Sequence, residues 1–173
     1  MTSQRRLRRI RVWIFLFLIG LVLSGLTAFP LVTEVKMLHG LADGLPLPGG
    51  VADWIDRIHT GIVETDARYP FIAYGTDWLA FAHLVIALAF VGPIRDPVRN
   101  IWVVEWAMLA CVAVVPLALI AGPVRGIPLW WTAIDISFGV FGILPLLVVR
   151  RQIQALARAG DSDVGREVVH GVA

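Results

Sequence analysis

The chain has 173 residues, enough for one domain, and 58% of them are hydrophobic while 16% are charged. In soluble domains about half of the residues are apolar and about a quarter are charged. The composition therefore excludes an ordinary water-soluble core and predicts that lipid covers much of the surface. The net charge is +2, and the basic residues flank apolar segments, which favours a role in membrane orientation over nucleic-acid binding.

Four apolar segments are long enough, or nearly so, to cross a bilayer, which takes about 20 residues in a helix. They cover residues 12–32, 76–91, 101–121 and 129–149. The first is longer than the apolar part of a signal peptide, and no clean cleavage site follows it, so we interpret it as a retained helix. The sequence thus predicts an all-α membrane protein, a four-transmembrane-helix bundle that forms a single domain over residues 1–159.

The positions of the basic residues predict how these spans are oriented. Eleven of the 15 basic residues lie at one set of span ends: Arg5, Arg6, Arg8, Arg9, Arg11, Arg95, Arg99, Arg150, Arg151, Arg158 and Arg166. The other set carries four: Lys36, Arg57, Arg68 and Arg125. Because cytoplasmic loops carry the excess of basic residues, we expect both termini in the cytoplasm of a multi-pass protein, most simply in a bacterial inner membrane.

The first outer loop, residues 33–75, is the one large segment outside the predicted spans. Residues 51–65 within it place apolar side chains at helical spacing: Val51, Trp54, Ile55, Ile58 and Ile62. This pattern predicts a short amphipathic helix that lies on the outer surface or caps the bundle. After the fourth span, residues 160–173 are polar, and we expect them to form a disordered cytoplasmic tail.

Three ionisable residues fall inside the predicted spans, namely His83, Glu105 and Asp135, and Asp77 lies at the outer edge of the second span. Burying a charge in the bilayer costs about 2.5–3.5 kcal/mol on insertion scales, so these residues are the first candidates for function. At about 1.5 Å of rise per residue, His83 and Asp135 both lie roughly 8 Å below the outer boundary, whereas Glu105 lies about 6 Å from the inner one. Glu105 is therefore a secondary candidate, and its alternative is pairing near the inner interface, close to Arg99.

The shared depth of two of these residues leads to the hypothesis of a polar, ligand-binding pocket that opens to the outer face. His83, Asp135 and Asp77 would line this pocket. His59 lies on the apolar face of the loop helix and would point down toward it. The competing interpretation is a hydrogen bond or ion pair between His83 and Asp135 that fixes the second span to the fourth.

Small residues in the spans indicate close helix packing. Gly139 and Gly142 narrow one stretch of the fourth span, and we interpret Cys111 as a small residue buried against a neighbouring helix. The dipeptide Gly-Pro follows an apolar helix at residues 92–93 and again at 122–123. Because Gly followed by Pro is an ordinary helix ending, coincidence and a true internal repeat both stay open.

No sequence motif indicates a particular reaction or a metal site. We therefore predict no metal ligand, and whether the chain is an enzyme stays open. We expect an accessory or structural membrane protein, or one that binds lipid or a small ligand at its outer face. Its partners would be the lipid bilayer and either another membrane protein or a second copy of the chain, with no nucleic acid.

Two alternatives belong to other functional classes. In layout, with a long first loop and carboxylates inside four helices, the chain resembles the EXPERA group of four-helix sterol isomerases. That resemblance implies a small membrane enzyme with an intramembrane acid–histidine site, and it assigns no role to any residue because no motif is shared. The other alternative is a b-type haem electron-transfer protein, with His83 and either His59 or His39 as axial ligands. Apart from that haem, no cofactor is expected.

Overall fold

The computed structural model describes the backbone of residues 3–170 and the side chains of residues 3–160. Helices account for all regular structure in this part of the chain, which holds no strand. They are α1 (Ser3–Thr27), α2 (Leu31–Ala42), α3 (Gly49–Arg68), a 3₁₀ turn (Pro70–Ile72), α4 (Tyr74–Ala89), α5 (Val91–Arg95), α6 (Ile101–Val124) and α7 (Leu129–His170).

Four stretches of helix are long and apolar enough to cross a membrane: Ser3–Thr27, Pro70–Arg95, Ile101–Val124 and Leu129–Gly160. Only 17–22% of each apolar window is buried within the protein itself, as expected for helices that are apolar on all sides and covered by lipid. For the residues that the structure describes, the predicted all-α class with four membrane-spanning helices is confirmed. The predicted amphipathic loop helix is also present, as α3.

The first loop holds one more helix than the sequence predicted. α1 ends at Thr27, before the predicted end of the span at residue 32, and α2 begins four positions later. Pro30 separates the two helices, because proline has no N–H to donate and disfavours helical geometry at the residue before it. The chain turns where Ala28 donates to the Gly25 carbonyl oxygen at 3.2 Å, and the Pro30 carbonyl then accepts from the first turn of α2.

The helix α7 is longer than the span predicted over residues 129–149. Ile153 and Leu156 continue the helical spacing of apolar side chains, and Ile153 is buried in the core. These contacts carry the helix beyond the predicted end of the span. Its backbone is helical to His170, past residue 160, where the disordered tail was predicted to begin; residues 171–173 lie outside the described part of the chain.

The chain divides into two compact units, residues 1–20 with 88–173 and residues 21–87. In the first unit, nine apolar side chains from α1, the α4–α5 junction, α6 and α7 are buried together: Ile10, Ile14, Phe90, Val103, Val104, Ala107, Leu146, Val149 and Ile153. Arg11 at the basic end of α1 donates from Nε to the Ile94 carbonyl oxygen of α5 at 3.2 Å. This bond satisfies one of the carbonyls that the end of a short helix leaves open.

Helices α6 and α7 of the first unit approach very closely at two glycines. A Cβ atom on Gly139 would lie 2.5 Å from the Cys111 carbonyl oxygen, and one on Gly142 would lie 3.1 Å from Cys111 Sγ. The Gly139 contact is with backbone, which cannot rotate away, so only glycine fits there without moving a helix. The close helix packing predicted at these glycines is confirmed, and Cys111, predicted to be buried, is half-buried at this contact.

The two Gly-Pro pairs, both in the first unit, lie within helices, residues 92–93 in α5 and residues 122–123 in the last turn of α6. Beside the first pair, Asn100 donates from its side chain to the Gly92 carbonyl oxygen at 3.3 Å and to the Asp96 carbonyl oxygen at 2.9 Å. Beside the second pair, a Cβ atom on Gly122 would lie 2.8 Å from Thr132 Oγ1. In each case a polar side chain at the start of the next helix covers the glycine. This likeness is local, and the question of a sequence repeat stays open.

In the second unit, α2 and α3 form a helical hairpin, here called the α2–α3 hairpin (residues 31–68). Val35 of α2 and Ile55 of α3 are its buried apolar residues within the described helices. The same unit contains a close approach of α1 to α4, where a Cβ atom on Gly25 would lie 2.7 Å from His83 Cβ and 3.1 Å from the Ala80 carbonyl oxygen. Glycine at position 25 therefore lets α1 pack against the helix that carries His83.

Candidate functional site

His83, the candidate inside the second span, is half-buried on α4 beside Gly25 of α1. Its ring nitrogen Nδ1 lies 2.7 Å from the carbonyl oxygen of Leu79, one turn earlier on the same helix. Because a carbonyl only accepts, Nδ1 must donate, and in the neutral ring Nε2 then carries the lone pair. One ring nitrogen is thus satisfied by its own helix, and Nε2 is the atom with which His83 could bind a ligand.

Asp77, also half-buried, lies in the first turn of α4. A carboxylate at a helix N-terminus is favoured by the helix dipole, typically by about 0.3–1 kcal/mol. The neighbouring Thr76 hydroxyl donates to the Ala73 carbonyl oxygen at 2.7 Å, which helps to begin the same helix. The position of Asp77 therefore gives it a structural role in starting α4.

Asp135 is half-buried on α7, one turn after Thr132, and it belongs to the first compact unit. Within the described residues of that unit, its carboxylate has no hydrogen-bond or ion-pair partner. The other three residues of the predicted pocket, His59, Asp77 and His83, belong to the second unit. The four-residue pocket therefore stays a prediction, as does the competing bond between His83 and Asp135.

His59 lies on α3, and its ring stacks on the ring of His39 from α2, with centroids 4.2 Å apart and planes inclined by 22°. His39 in turn lies between two carboxylates. Its Nε2 is 3.0 Å from Asp56 Oδ1 on α3, and its Nδ1 is 3.6 Å from Asp43 Oδ2 just after α2. The α2–α3 hairpin thus gathers two imidazoles and two carboxylates at one place, here called the His–Asp cluster (His39, Asp43, Asp56 and His59).

Two of the four members of the His–Asp cluster, Asp43 and Asp56, were not predicted from the sequence, and His39 was considered only as a haem ligand. His39 and Asp43 stand four positions apart, which places them on one face of a helix. That signal is present in the sequence, but no helix is predicted there for residues 33–50. Asp56 approaches His39 only because the hairpin folds α3 back on α2, and no local spacing reveals such a contact.

The ligand-bearing atoms of His39, Asp43 and Asp56 all lie within 4.8 Å of one another. The His39 side chain is 28% exposed, whereas those of Asp43 and Asp56 are 67% and 63% exposed. The imidazole is therefore held in place by its surroundings, and the carboxylates retain the freedom to adjust. Imidazole and carboxylate together can pair as ions or can bind a divalent metal ion.

Glu105, the secondary candidate, is paired within the first unit. Arg150 of α7 donates from Nε to Glu105 Oε1 of α6 at 2.8 Å. The Gln154 side-chain amide, oriented with its oxygen toward Arg150, accepts from both terminal guanidinium nitrogens at 3.2 Å. The partner comes from the other helix and not from Arg99, the basic residue nearest in sequence. This geometry supports the structural interpretation of Glu105 as one half of an interhelical ion pair.

The structure has two surface depressions that contain none of the four residues of the predicted pocket. One, of about 370 Å³, is lined by Arg5, Arg8, Arg9, Val12 and Trp13 at the basic end of α1. The second, of about 660 Å³, lies at the end of α3 and is lined by Glu64, Thr65, Ala67, Arg68 and Tyr69. Both are open at the surface.

Comparison of the chain with protein-family models, with curated proteins and with solved structures finds no match.

Proposed function

We propose that this chain is a small accessory membrane protein whose α2–α3 hairpin binds lipid at the outer face of the membrane that the chain spans. The observation that carries this proposal is an apolar face on α2 that points away from α3. Met37 and Leu41, one turn apart, are 64% and 66% exposed, although the opposite face of the same helix holds the buried Val35. A helix with apolar side chains on two opposite faces needs a second apolar environment besides its neighbour.

Lipid is the apolar environment that we expect for this face of α2, because the chain joins the hairpin directly to helices long enough to span the membrane. Only three residues separate the hairpin from the end of α1, and a 3₁₀ turn and α4 follow α3 almost at once. Both ends of the hairpin are thereby tied to helices that are apolar and long enough to cross a bilayer. A helix held in this way rests at the boundary between lipid and water, where it buries its apolar face among the acyl chains.

Aromatic residues follow the hairpin and support the same location. Tyr69, Phe71, Tyr74 and Trp78 are each between 47% and 73% exposed, and their rings contact one another in edge-on pairs. Aromatic side chains of this kind are enriched where a protein passes through the membrane interface, because their rings are apolar and their polar tips favour water. The start of α4 thus has the character of an interfacial anchor.

The proposed orientation has both termini in the cytoplasm and the hairpin outside, in a bacterial inner membrane. Its main support is the excess of basic residues, eleven against four, at the predicted cytoplasmic span ends. Further support comes from the first unit, where Arg11 of α1 bonds to Ile94 of α5 and Arg150 of α7 bonds to Glu105 of α6. These contacts bring span ends of the basic set together within one unit.

Site-specific photo-crosslinking in native membranes tests the proposal. A photoreactive amino acid is placed at Leu41 on the exposed apolar face, and at Asp53 on the exposed polar face of α3 as the matched control. We expect lipid adducts, identified by mass spectrometry, at position 41 and few at position 53. A discrete protein adduct at position 41 in place of lipid would overturn lipid binding in favour of a protein partner. Equal adducts at both positions, or none at 41, would also overturn it.

A b-type haem protein is a second candidate, favoured by one observation on α4. Donation from His83 Nδ1 to the Leu79 carbonyl is an arrangement that orients an imidazole for ligation through Nε2. The test is the visible spectrum of the purified protein together with an acid-acetone extraction. A Soret band that is lost in the His83→Ala variant would support haem, and a colourless protein with no extractable haem would exclude it.

A further inference from the structure

We propose that the His–Asp cluster is a binding site for a divalent transition-metal ion of the Zn²⁺ type, which joins α2 to α3. His39, Asp43 and Asp56 are the ligands, and the His59 ring stacks on His39 beside them. This inference concerns the water-facing side of the α2–α3 hairpin and does not depend on lipid binding by its apolar side.

The spacing of the three ligands suits a single ion. With metal–ligand bonds of about 2.0–2.2 Å, two ligands of a tetrahedral zinc ion lie about 3.4 Å apart. His39 Nε2 and Asp56 Oδ1 are 3.0 Å apart, and the three ligand atoms fall within 4.8 Å of one another. Asp43 Oδ2 lies 3.6 Å from the other ring nitrogen, Nδ1. Because an imidazole binds one ion through one nitrogen, Asp43 has to rotate to join Asp56 at Nε2. Rotation of the two exposed carboxylates covers the remaining difference, because neither is held by surrounding side chains to the extent that His39 is.

The donor types decide which ions are favoured. Calcium and magnesium prefer sets made of oxygen alone, whereas imidazole with carboxylate suits zinc and neighbouring transition metals. The cluster combines one imidazole nitrogen with two carboxylates, whose negative charges balance a divalent cation. Water would occupy any open position, since Asp43 and Asp56 are both well exposed.

His59 packs against this ligand set. Its ring stacks on the His39 ring with centroids 4.2 Å apart and planes inclined by 22°. The ligating lone pair of an imidazole lies in the plane of its ring, so two stacked rings do not direct their nitrogens at one ion. His59 is therefore a positioning residue that orients His39, and the ligands are His39, Asp43 and Asp56.

The same contacts admit a simpler arrangement in which protonated His39 pairs with the carboxylates and no metal takes part. The two arrangements differ in a measurable way. An ion pair stabilises the hairpin equally in the presence of zinc or a chelator, whereas a metal site stabilises it only when the ion is present.

The experiment uses the full-length protein in detergent, carrying no polyhistidine tag and stripped with a chelator. Zinc chloride is titrated by calorimetry, and thermal unfolding is recorded with and without zinc. The ligand variants are His39→Gln and Asp56→Asn, and Asp53→Asn is the matched control, since Asp53 is an exposed carboxylate one turn earlier on α3. Circular dichroism verifies that each variant keeps its helix content.

We expect one zinc ion per chain, a higher unfolding temperature with zinc, and no displacement by millimolar magnesium. Loss of even an outer-shell partner weakens metal binding about 10–100-fold, so Asp56→Asn should weaken zinc binding at least about tenfold while Asp53→Asn leaves it unchanged. His59→Ala should weaken it as well. Absence of 1:1 binding in the native protein, or equal zinc affinity in the Asp56 and Asp53 variants, would overturn the metal site. If His39→Gln lowered the unfolding temperature equally with and without zinc, the ion-pair arrangement would replace it.

Discussion

Arg150 of α7 donates from Nε to Glu105 of α6 at 2.8 Å, and this ion pair joins two residues that lie 45 positions apart on consecutive helices. Both side chains are partly exposed in the protein, at 39% and 44%. A charge placed in or near a membrane without a partner is costly, so pairing between helices is a common solution. The bond accounts for the presence of Glu105 in an otherwise apolar span.

A double-mutant cycle with Glu105→Gln and Arg150→Gln should reveal coupling between these two residues. Interhelical polar contacts in membrane proteins contribute about 0.6 kcal/mol on average and up to about 1.7 kcal/mol. We expect a coupling free energy of that size, measured from unfolding in mixed detergent. The cycle of Glu105→Gln with Arg99→Gln is the control and should show none. Equal coupling in both cycles would contradict the pairing with Arg150.

Gly139→Ala should destabilise the protein, because the added Cβ atom would lie 2.5 Å from the Cys111 carbonyl oxygen. Helices α6 and α7 would have to separate, and overpacking of this kind costs about 1–3 kcal/mol. The unfolding free energy in detergent measures the effect. Gly20→Ala on α1 is the matched control, since nothing lies within 4 Å of its added Cβ. Alanine is favoured over glycine in a helix, so that variant should be neutral or slightly more stable.

Asn100→Ala should weaken the connection between α5 and α6, because it removes the side-chain donor to the Gly92 and Asp96 carbonyl oxygens. Both carbonyls keep a backbone N–H donor, from Asp96 and Asn100, so the loss is that of two side-chain hydrogen bonds, which contribute about 0.5–1.5 kcal/mol each. We expect a loss of stability of about 1–2 kcal/mol on that basis. Arg99→Ala, at the neighbouring position, keeps the backbone bond from Arg99 N–H to Asp96 Oδ1 and should change stability little. A similar loss in both variants would indicate that the Asn100 bonds contribute nothing specific.

The membrane spans could be predicted because length and hydropathy are local properties of the sequence. The break at Pro30 lies inside a continuous apolar run, so hydropathy alone places the end of the first span too late. The length of α7 depends on Ile153, which is buried by contacts with other helices. Such packing is tertiary, and it extends a helix beyond the point where the local apolar pattern ends.

The same distinction between local pattern and tertiary packing decides which candidate residues could be predicted. His83 and Asp77 could be identified singly, because ionisable residues are rare in apolar segments. The pairing of His39 with Asp56 could not, since it joins two helices across a hairpin whose first helix has no clear pattern of its own. Glu105 was predicted to pair near the inner interface, but its partner is Arg150 on α7 and not a residue close in sequence.

The proposed orientation predicts which positions a membrane-impermeant reagent can reach. In a Cys111→Ser background, one cysteine is introduced at Thr60, which is exposed on α3, and another at Gln4, which is exposed at the start of α1. In that proposed orientation, Gln4 lies in the cytoplasm and Thr60 lies outside. An impermeant maleimide applied to right-side-out spheroplasts should therefore label Thr60→Cys, and should label Gln4→Cys only after the membrane is permeabilised. Labelling of Gln4→Cys in intact spheroplasts would reverse the orientation, and it would move both the α2–α3 hairpin and the His–Asp cluster to the cytoplasmic side.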